Sequence, residues 1–296
     1  MDLSLRHLIT FVALYENDGN VTKTAEKLYM SQPTVSQILA ELESYFHEKL
    51  FDRISRKLYI NSAGTRLYEY SKRVLNMMKD METGMTNPEI SNTIRVGCCD
   101  SMDACGLPKY ITQFAEIHPA VIVRSSVDTT NSLVEKVLSN ELDVAIVDRQ
   151  INNNQLVCQD FLASRLAVIA SPKLGYKDGE EITLEELSHQ KVLLREKGSG
   201  TREAFEKATQ SQGYNIVPVY ESVGNGYIIS VAAQGMGIGV LPEKMAISYW
   251  KRKKLVFLKL KDIELKLIYY FIYHKDKELS KNSKDFLIMC RDFEID

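Results

Sequence analysis

Residues 24–43, TAEKLYMSQPTVSQILAELE, hold two short helical patterns joined by a tight connection. Thr22 reads as the cap of the first, with Ala25 and Leu28 turned inward. Tyr29, Met30 and Ser31 then lead into QPTVSQILAELESYF, where Pro33 fits a first turn because a missing N–H does no damage there. Val35, Leu39, Leu42 and Phe46 step by four, three and four, which puts them on one helical face. Upstream, SLRHLITFVAL (4–14) sets Leu5, Leu8, Ile9, Val12 and Ala13 on another such face, and Asn17 to Asn20 read as a loop. Two short helices followed by a helix with a polar start is a helix-turn-helix layout. Its groove-facing candidates are Ser31, Gln32, Pro33, Thr34, Ser36 and Gln37.

FDRISRKLYINSAG (51–64) reads as a short two-stranded wing in which Leu58 and Ile60 alternate with polar neighbours. Residues 1–86 hold as many basic as acidic side chains, eleven of each, so bulk charge does not mark a nucleic-acid surface. The basic residues are grouped, however. Lys23 lies near Lys27, and Arg53, Arg56 and Lys57 follow the third helix.

The TAEKLYMSQPTVSQILAELE run, LFDR (50–53) and INSAGTRL (60–67) together resemble the DNA-binding domain of LysR-type transcriptional regulators. The matching residues are Ala25, Leu28, Ser31, Gln32, Pro33, Val35, Ser36, Leu42, Glu43, Leu50, Phe51, Arg53, Ala63 and Gly64. The resemblance implies that the wing brings Arg53, Arg56 and Lys57 to phosphates or the minor groove of double-stranded DNA. The chain departs from the family at His47, where glycine is usual, and at Ile38, Ala40 and Glu41, where polar or basic residues are usual. A trihelical protein-interaction module is the plainer reading of the same periodicity.

From Ala63 to Met85, Leu67, Ser71, Val74, Met78, Met81 and Met85 form a heptad seam. It reads as a dimer seam, and the resemblance likewise implies a linker helix that pairs two subunits, in a homodimer or a dimer of dimers. TNPEISNT (86–93) reads as a polar hinge, after which strands and helices alternate. The continuous apolar strand DVAIVD (143–148) belongs in a parallel sheet covered on both faces. The fold class expected is therefore α/β with an N-terminal all-α winged helix-turn-helix domain. The boundaries expected are 1–62 for the DNA-binding domain, 63–86 for the linker helix and 87–92 for the hinge. Lobe I takes 93–163 with 268–296, and lobe II takes 164–267. The return of the last strand and helix to lobe I, and a cleft like that of periplasmic solute-binding proteins, are implied by the resemblance alone.

Three loops join strand ends to helix N-termini, where free N–H groups accept anions. They offer Cys99, Asp100, Ser101 and Met102; then Thr129, Thr130 and Asn131; then Gly198, Ser199, Gly200, Thr201 and Arg202. Asn225, in VGNGY, is a fourth candidate. The third loop resembles the GSGTR loop of a LysR subgroup that includes regulators of sulfur assimilation and carbon fixation, with Arg202 as a fixed cationic fork. A plain helix cap with a surface arginine would use the same residues. Asp100 and Asp103 stand where the family usually has neutral residues. They would either repel a carboxylate or hold the amino group of a zwitterion.

The expectation is a DNA-binding transcriptional regulator that answers to a small anionic or zwitterionic effector and engages RNA polymerase. Two other readings stay open. One is a small-molecule-binding α/β protein whose N-terminal helices only dimerise. The other is a thiol-based redox-sensing regulator using Cys98, Cys99 and Cys105, with a thiolate stabilised at a helix N-terminus. No run of eighteen apolar residues and no leader pattern occurs, which predicts a cytoplasmic chain without a membrane span. GSGTRE and GMGIGV lack the third glycine of a dinucleotide loop and the Walker lysine. The five histidines are scattered and no GxSxG is present, so no metal, cofactor or enzymatic activity is expected.

Overall fold

The computed structural model describes residues 2–55, 57–86 and 92–293, with the side chains of Thr83, Thr86, Asp103 and Cys105 set aside. Arg56, most of the 87–92 hinge, and the side chains of Asp103 and Cys105 therefore lie outside the described residues. The chain divides into two units, residues 1–91 with 138–141, and residues 92–137 with 142–296. No described helix is long and apolar enough to cross a membrane.

The first unit contains α1 (Leu5–Glu16), α2 (Val21–Lys27), α3 (Gln32–Phe46), a hairpin of β1 (Phe51–Ile54) and β2 (Lys57–Ile60), and α4 (Ser62–Thr86). Its core joins Phe11, Leu14, Ala25, Val35, Ile38, Leu39, Leu42, Leu50, Phe51 and Leu67. α1 buries Leu8, Val12 and Ala13 as expected, but Leu5 and Ile9 are exposed, and Phe11 and Leu14 take their place. Phe46 is also exposed at the end of α3. α2 is capped by Asn20, whose side chain accepts from Lys23 N at 3.0 Å, and not by Thr22. The Glu43 carboxylate is buried and ties the chain after α3 by accepting from Leu50 N at 3.1 Å and Lys49 Nζ at 2.6 Å. His47 ends α3 in the left-handed conformation, φ 53°, a position that suits the glycine usual in the resembling family. Gly19, at φ 73°, closes the α1–α2 turn so near Leu58 of the wing that a Cβ would lie 2.5 Å from its carbonyl oxygen.

α4 is an uninterrupted helix, but its exposed apolar stripe is not quite the expected seam. Leu67 joins the core and Ser71 is buried, whereas Tyr70, Val74, Met77, Met81 and Met85 are exposed. Met78 is half-buried, and Met77 takes its place in the stripe.

The second unit runs β3 (Thr93–Cys98), α5 (Asp100–Cys105), α6 (Leu107–Ile117), β4 (Ile122–Val127), α7 (Thr130–Leu138) and β5 (Val144–Val147). β6 (Leu156–Ala170), β7 (Glu181–Ile182), α8 (Leu184–Ser188), β8 (Val192–Arg195), α9 (Gly200–Ser211), β9 (Tyr220–Ser222) and α10 (Asn225–Ala233) follow. β10 (Ile238–Pro242), α11 (Glu243–Lys251), β11 (Val256–Leu260), β12 (Lys266–His274) and α12 (Lys281–Asp292) complete it. The strand order is β4-β3-β5-β12-β6-β10-β8-β9, with β11 on β6 and β7 beside β11. Pairing is parallel among β3, β4 and β5 and among β8, β9 and β10.

The two parallel groups are joined by antiparallel β6 and β12. Leu156 to Arg165 pairs with β12, and the rest of β6 pairs with β10 and β11. RLAVIAS (165–171) is thus only the buried end of a longer strand whose first half is largely half-exposed, so its apolar pattern is diluted. The last strand does return to the first parallel group, pairing β5, and α12 packs on α6 through Phe286 against Phe114. β5 is buried along its whole length, as continuous apolar strands in such sheets are.

Asp143 knots this region. Its carboxylate accepts from Arg95 N at 2.7 Å, Arg95 Nη2 at 2.8 Å and Lys277 Nζ at 2.6 Å. Burial alone would raise its pKa, but the Arg95 hydrogen bonds and the Lys277 charge hold it below the ordinary carboxylate range. A depressed folded-state pKa adds stability above the unfolded value, and that stability is lost as pH falls through the folded one. Asp143→Asn is expected to cost about 1.5–3 kcal/mol at neutral pH. In urea melts the gap from wild type should narrow as pH drops below roughly 4.

Candidate functional site

In the first unit, α3 begins with Ser31 as its cap. The Ser31 hydroxyl accepts from Thr34 N at 3.3 Å and lies 2.8 Å from the Thr34 hydroxyl. Ser31, Gln32, Pro33, Ser36 and Gln37 are exposed along the first turns, and Thr34 is half-buried under its bond to Ser31. Lys23 on α2, Arg53 on β1 and Lys57 on β2 are exposed as well. Gln37 is not wholly available, since its amide donates to Glu41 at 2.9 Å. Glu41 also meets His7 Nε2 at 3.0 Å, and these bonds, that of His7 first, hold its carboxyl below the usual range. Tyr29 is 99% exposed at the turn between α2 and α3, in the left-handed conformation. The sequence pattern had passed over it as a connector.

In the second unit, the three candidate loops gather around two carboxylates. The first is Asp148, at the end of β5, which is 4% exposed and accepts from the Thr130 hydroxyl at 2.8 Å. The N–H of Gly200 also reaches it. Burial pushes the Asp148 carboxyl up, against the opposing pull of Thr130, the Arg195 charge and that N–H. α9 presses so close to Asp148 that a Cβ on Gly200 would overlap the Asp148 carbonyl.

The second is Asp100, the first residue of α5. Its Oδ2 accepts from Asn225 N at 2.9 Å and Asn225 Nδ2 at 2.8 Å, with Arg195 Nη1 at 3.5 Å. Arg195 is 5% exposed and is held bidentately by Glu196, Nε at 2.8 Å and Nη2 at 3.0 Å. Neither Asp148 nor Arg195 had been singled out. Both are charged residues closing a buried apolar strand, which is the signal that could have found them.

The other candidates divide. Ser199, Thr201 and Asn225 are buried, and Ser199 Oγ, Thr201 Oγ1 and Asn225 Oδ1 have no hydrogen-bond partner among the described residues. Asn131 accepts from Arg149 Nη2 at 2.6 Å and lies beside Gly198, whose φ of 87° turns the loop. Thr129 is exposed, and its N–H donates to Asp128. Met102 is in the hydrophobic core, and Ser101 is fully buried with its hydroxyl 3.3 Å from Cys99 Sγ.

Arg202 is not an open fork. Its guanidinium donates to Glu206 at 2.6 Å, to the Arg195 carbonyl at 3.1 Å and to Glu221 at 2.9 Å. Cys99 is likewise not a stabilised thiolate. Burial pushes its thiol up, and the Asp148 charge adds to the shift. No cluster of metal-ligating side chains occurs among the described residues.

A winged helix-turn-helix unit joined to a two-lobed α/β unit defines a DNA-binding regulator with an effector-binding domain. Residues 5–65 match the bacterial regulatory helix-turn-helix family of lysR type, and residues 88–294 match the LysR substrate binding domain. The chain belongs to the LysR family of transcriptional regulators. It is 26% identical to the RuBisCO operon transcriptional regulator of Allochromatium vinosum, covering 95% of this chain and 93% of that protein. It is 30% identical to the HTH-type transcriptional regulator CfxR of Cupriavidus necator, covering 81% of this chain and 75% of that one. Full-length CbnR in complex with its target DNA has the same fold, with a TM-score of 0.69, 18% identity, and coverage of 98% of this chain and 99% of that one.

Gly200→Ala is expected to force α9 off Asp148 and to destabilise the chain by about 1–3 kcal/mol, as overpacking does. Thermal melts of the full-length protein check this; an unchanged Tm would contradict the close approach.

Proposed function

We propose that the chain reads double-stranded DNA with the first turns of α3. Ser31, Gln32, Pro33, Thr34, Ser36 and Gln37 face the major groove, and Lys23, Arg53, Arg56 and Lys57 meet phosphates and the minor groove. The observation that carries this reading is the exposed polar start of α3, capped at Ser31 and followed by a hairpin with Arg53 and Lys57 exposed. The Gln37–Glu41 bond supports a reading weighted toward Gln32 and Ser36, since the Gln37 amide must leave Glu41 before it can reach a base edge.

Two copies pair through Tyr70, Val74, Met77, Met81 and Met85 of α4, a stripe that an isolated chain leaves in water. The paired units then meet half-sites one or more helical turns apart. The lobes take 93–163 with 268–296 and 164–267, and a small polar effector binds between them. The loops Cys99–Met102, Thr129–Asn131 and Gly198–Thr201 frame its site together with Asn225, with Met102 packed in the core beneath it. Support comes from the buried, unpartnered Ser199, Thr201 and Asn225 polar atoms, which a ligand would satisfy. Arg202 acts by positioning, since its guanidinium is already committed. The effector changes lobe geometry, and differential affinity for two arrangements re-spaces the DNA-binding units. The protein works in the cytoplasm, engages RNA polymerase at its promoters and catalyses no reaction.

A salt series tests the DNA reading, using duplexes selected by the full-length protein from a random library. Wild type should show a steep linear fall of log K with log salt. Gln32→Ala should weaken the selected duplex by about 1–3 kcal/mol with the slope kept, and Arg53→Ala should lower the slope by about one. Unchanged affinity and slope in both variants would overturn the docking.

A further inference from the structure

α9 and α10 begin at the ends of parallel strands, where backbone N–H groups and the positive end of the helix dipole attract anions. Neither helix supplies its own side-chain cap. The acceptors come from elsewhere in the chain. Asp148 reaches Gly200 of α9, and Asp100 reaches Asn225 of α10. At Asn225 the match is close to that of a bound carboxylate ligand, with one oxygen taking a backbone N–H at 2.9 Å, a side-chain amide at 2.8 Å and a guanidinium at 3.5 Å. The amide is consumed in the process. With Nδ2 turned to Asp100, Asn225 Oδ1 is left buried and unpartnered.

We propose that Asp100 is an internal ligand that sets which molecules this cleft accepts. Its carboxylate fills the oxyanion position that the α10 N-terminus and Arg195 would otherwise offer. A free carboxylate, sulfate or phosphate must therefore compete with a tethered group whose effective concentration is on the order of mM or more. The exclusion is negative specificity, built from a charge of the chain's own. The effector class that remains is one approaching with donors, an ammonium or hydroxyl group, because the bonds to Asn225 and Arg195 fall on Asp100 Oδ2, and Asn225 Oδ1 is buried without a partner among the described residues. Asp100 is 38% exposed along its side chain, so such a group can reach it without dismantling the Asn225 bonds.

The inference rests on the reading of this cleft as the effector site, but its test needs no effector. Full-length Asp100→Ala is melted in rising sodium formate or acetate, against sodium chloride at equal ionic strength. The small carboxylate should replace the missing side chain and raise Tm saturably by roughly 2–4 °C, with chloride inert. Wild type should show no saturable rise, and Asp100→Asn, which refills the space with a neutral amide, should show none. Asp100→Ser, which keeps a short polar residue at the start of α5, is the second variant should Asp100→Ala fail to fold. Equal responses in wild type and variant, or no response in either, would overturn the proposal. Absence of rescue while an effector still binds overturns this inference alone. An effector whose binding ignores Thr130→Ala, Ser199→Ala and Thr201→Ala overturns the cleft reading instead.

Discussion

The first N–H groups of a helix have no partner within the helix, and burying them unpaired is costly. In the second unit this constraint falls on α9 and α10, which start inside the protein without side-chain caps of their own. Much of the surrounding sequence follows from meeting it. Residue 200 is glycine because α9 must come against the Asp148 backbone. Arg195 serves both carboxylates, lying 3.5 Å from Asp100 and drawing the Asp148 carboxyl down against its burial. Arg202 braces the same place from behind by holding the Arg195 carbonyl together with Glu206 and Glu221.

This arrangement depends on the β6–β12 pair. The bonded acids follow strands β3 and β5, and their partners lie on helices that follow β8 and β9. What joins the two strand groups is a pair of antiparallel strands in continuous register apart from one shift between Tyr269 and Tyr270. The Asp100–Asn225 bonds and the close approach of Gly200 to Asp148, together with the Arg149–Glu203 ion pair at 3.6 Å, bridge the two strand groups.

The helix-turn-helix was legible because its signals are local. A cap, a proline in a first turn and a run of apolar spacings all fall within twenty residues. Errors came where two local solutions compete. Asn20, two residues before Thr22, takes the cap, and Ile9 adjoins the buried face of α1 without belonging to it. On α4 the expected Met78 gave way to Met77, since a 3.5-residue and a 3.6-residue stripe diverge over three heptads. The three ligand loops were legible as strand-to-helix turns. The use made of their residues was not. Asp100 and Asn225 are 125 residues apart, and no local pattern indicates that one caps the other. Met102 and Arg202 had the right residue types for a site, but packing and ion pairs had already claimed them.

The central claim is that the protein satisfies the N-terminus of α10 with its own Asp100. Amide hydrogen exchange at Asn225 in the full-length protein tests it most directly. An amide bonded to a carboxylate should exchange only through local opening, so the Asn225 amide should be protected in wild type and become fast in Asp100→Ala. Exchange of Asn225 in wild type at the rate of an open helix N-terminus would contradict the account, because its N–H would then have no resident acceptor.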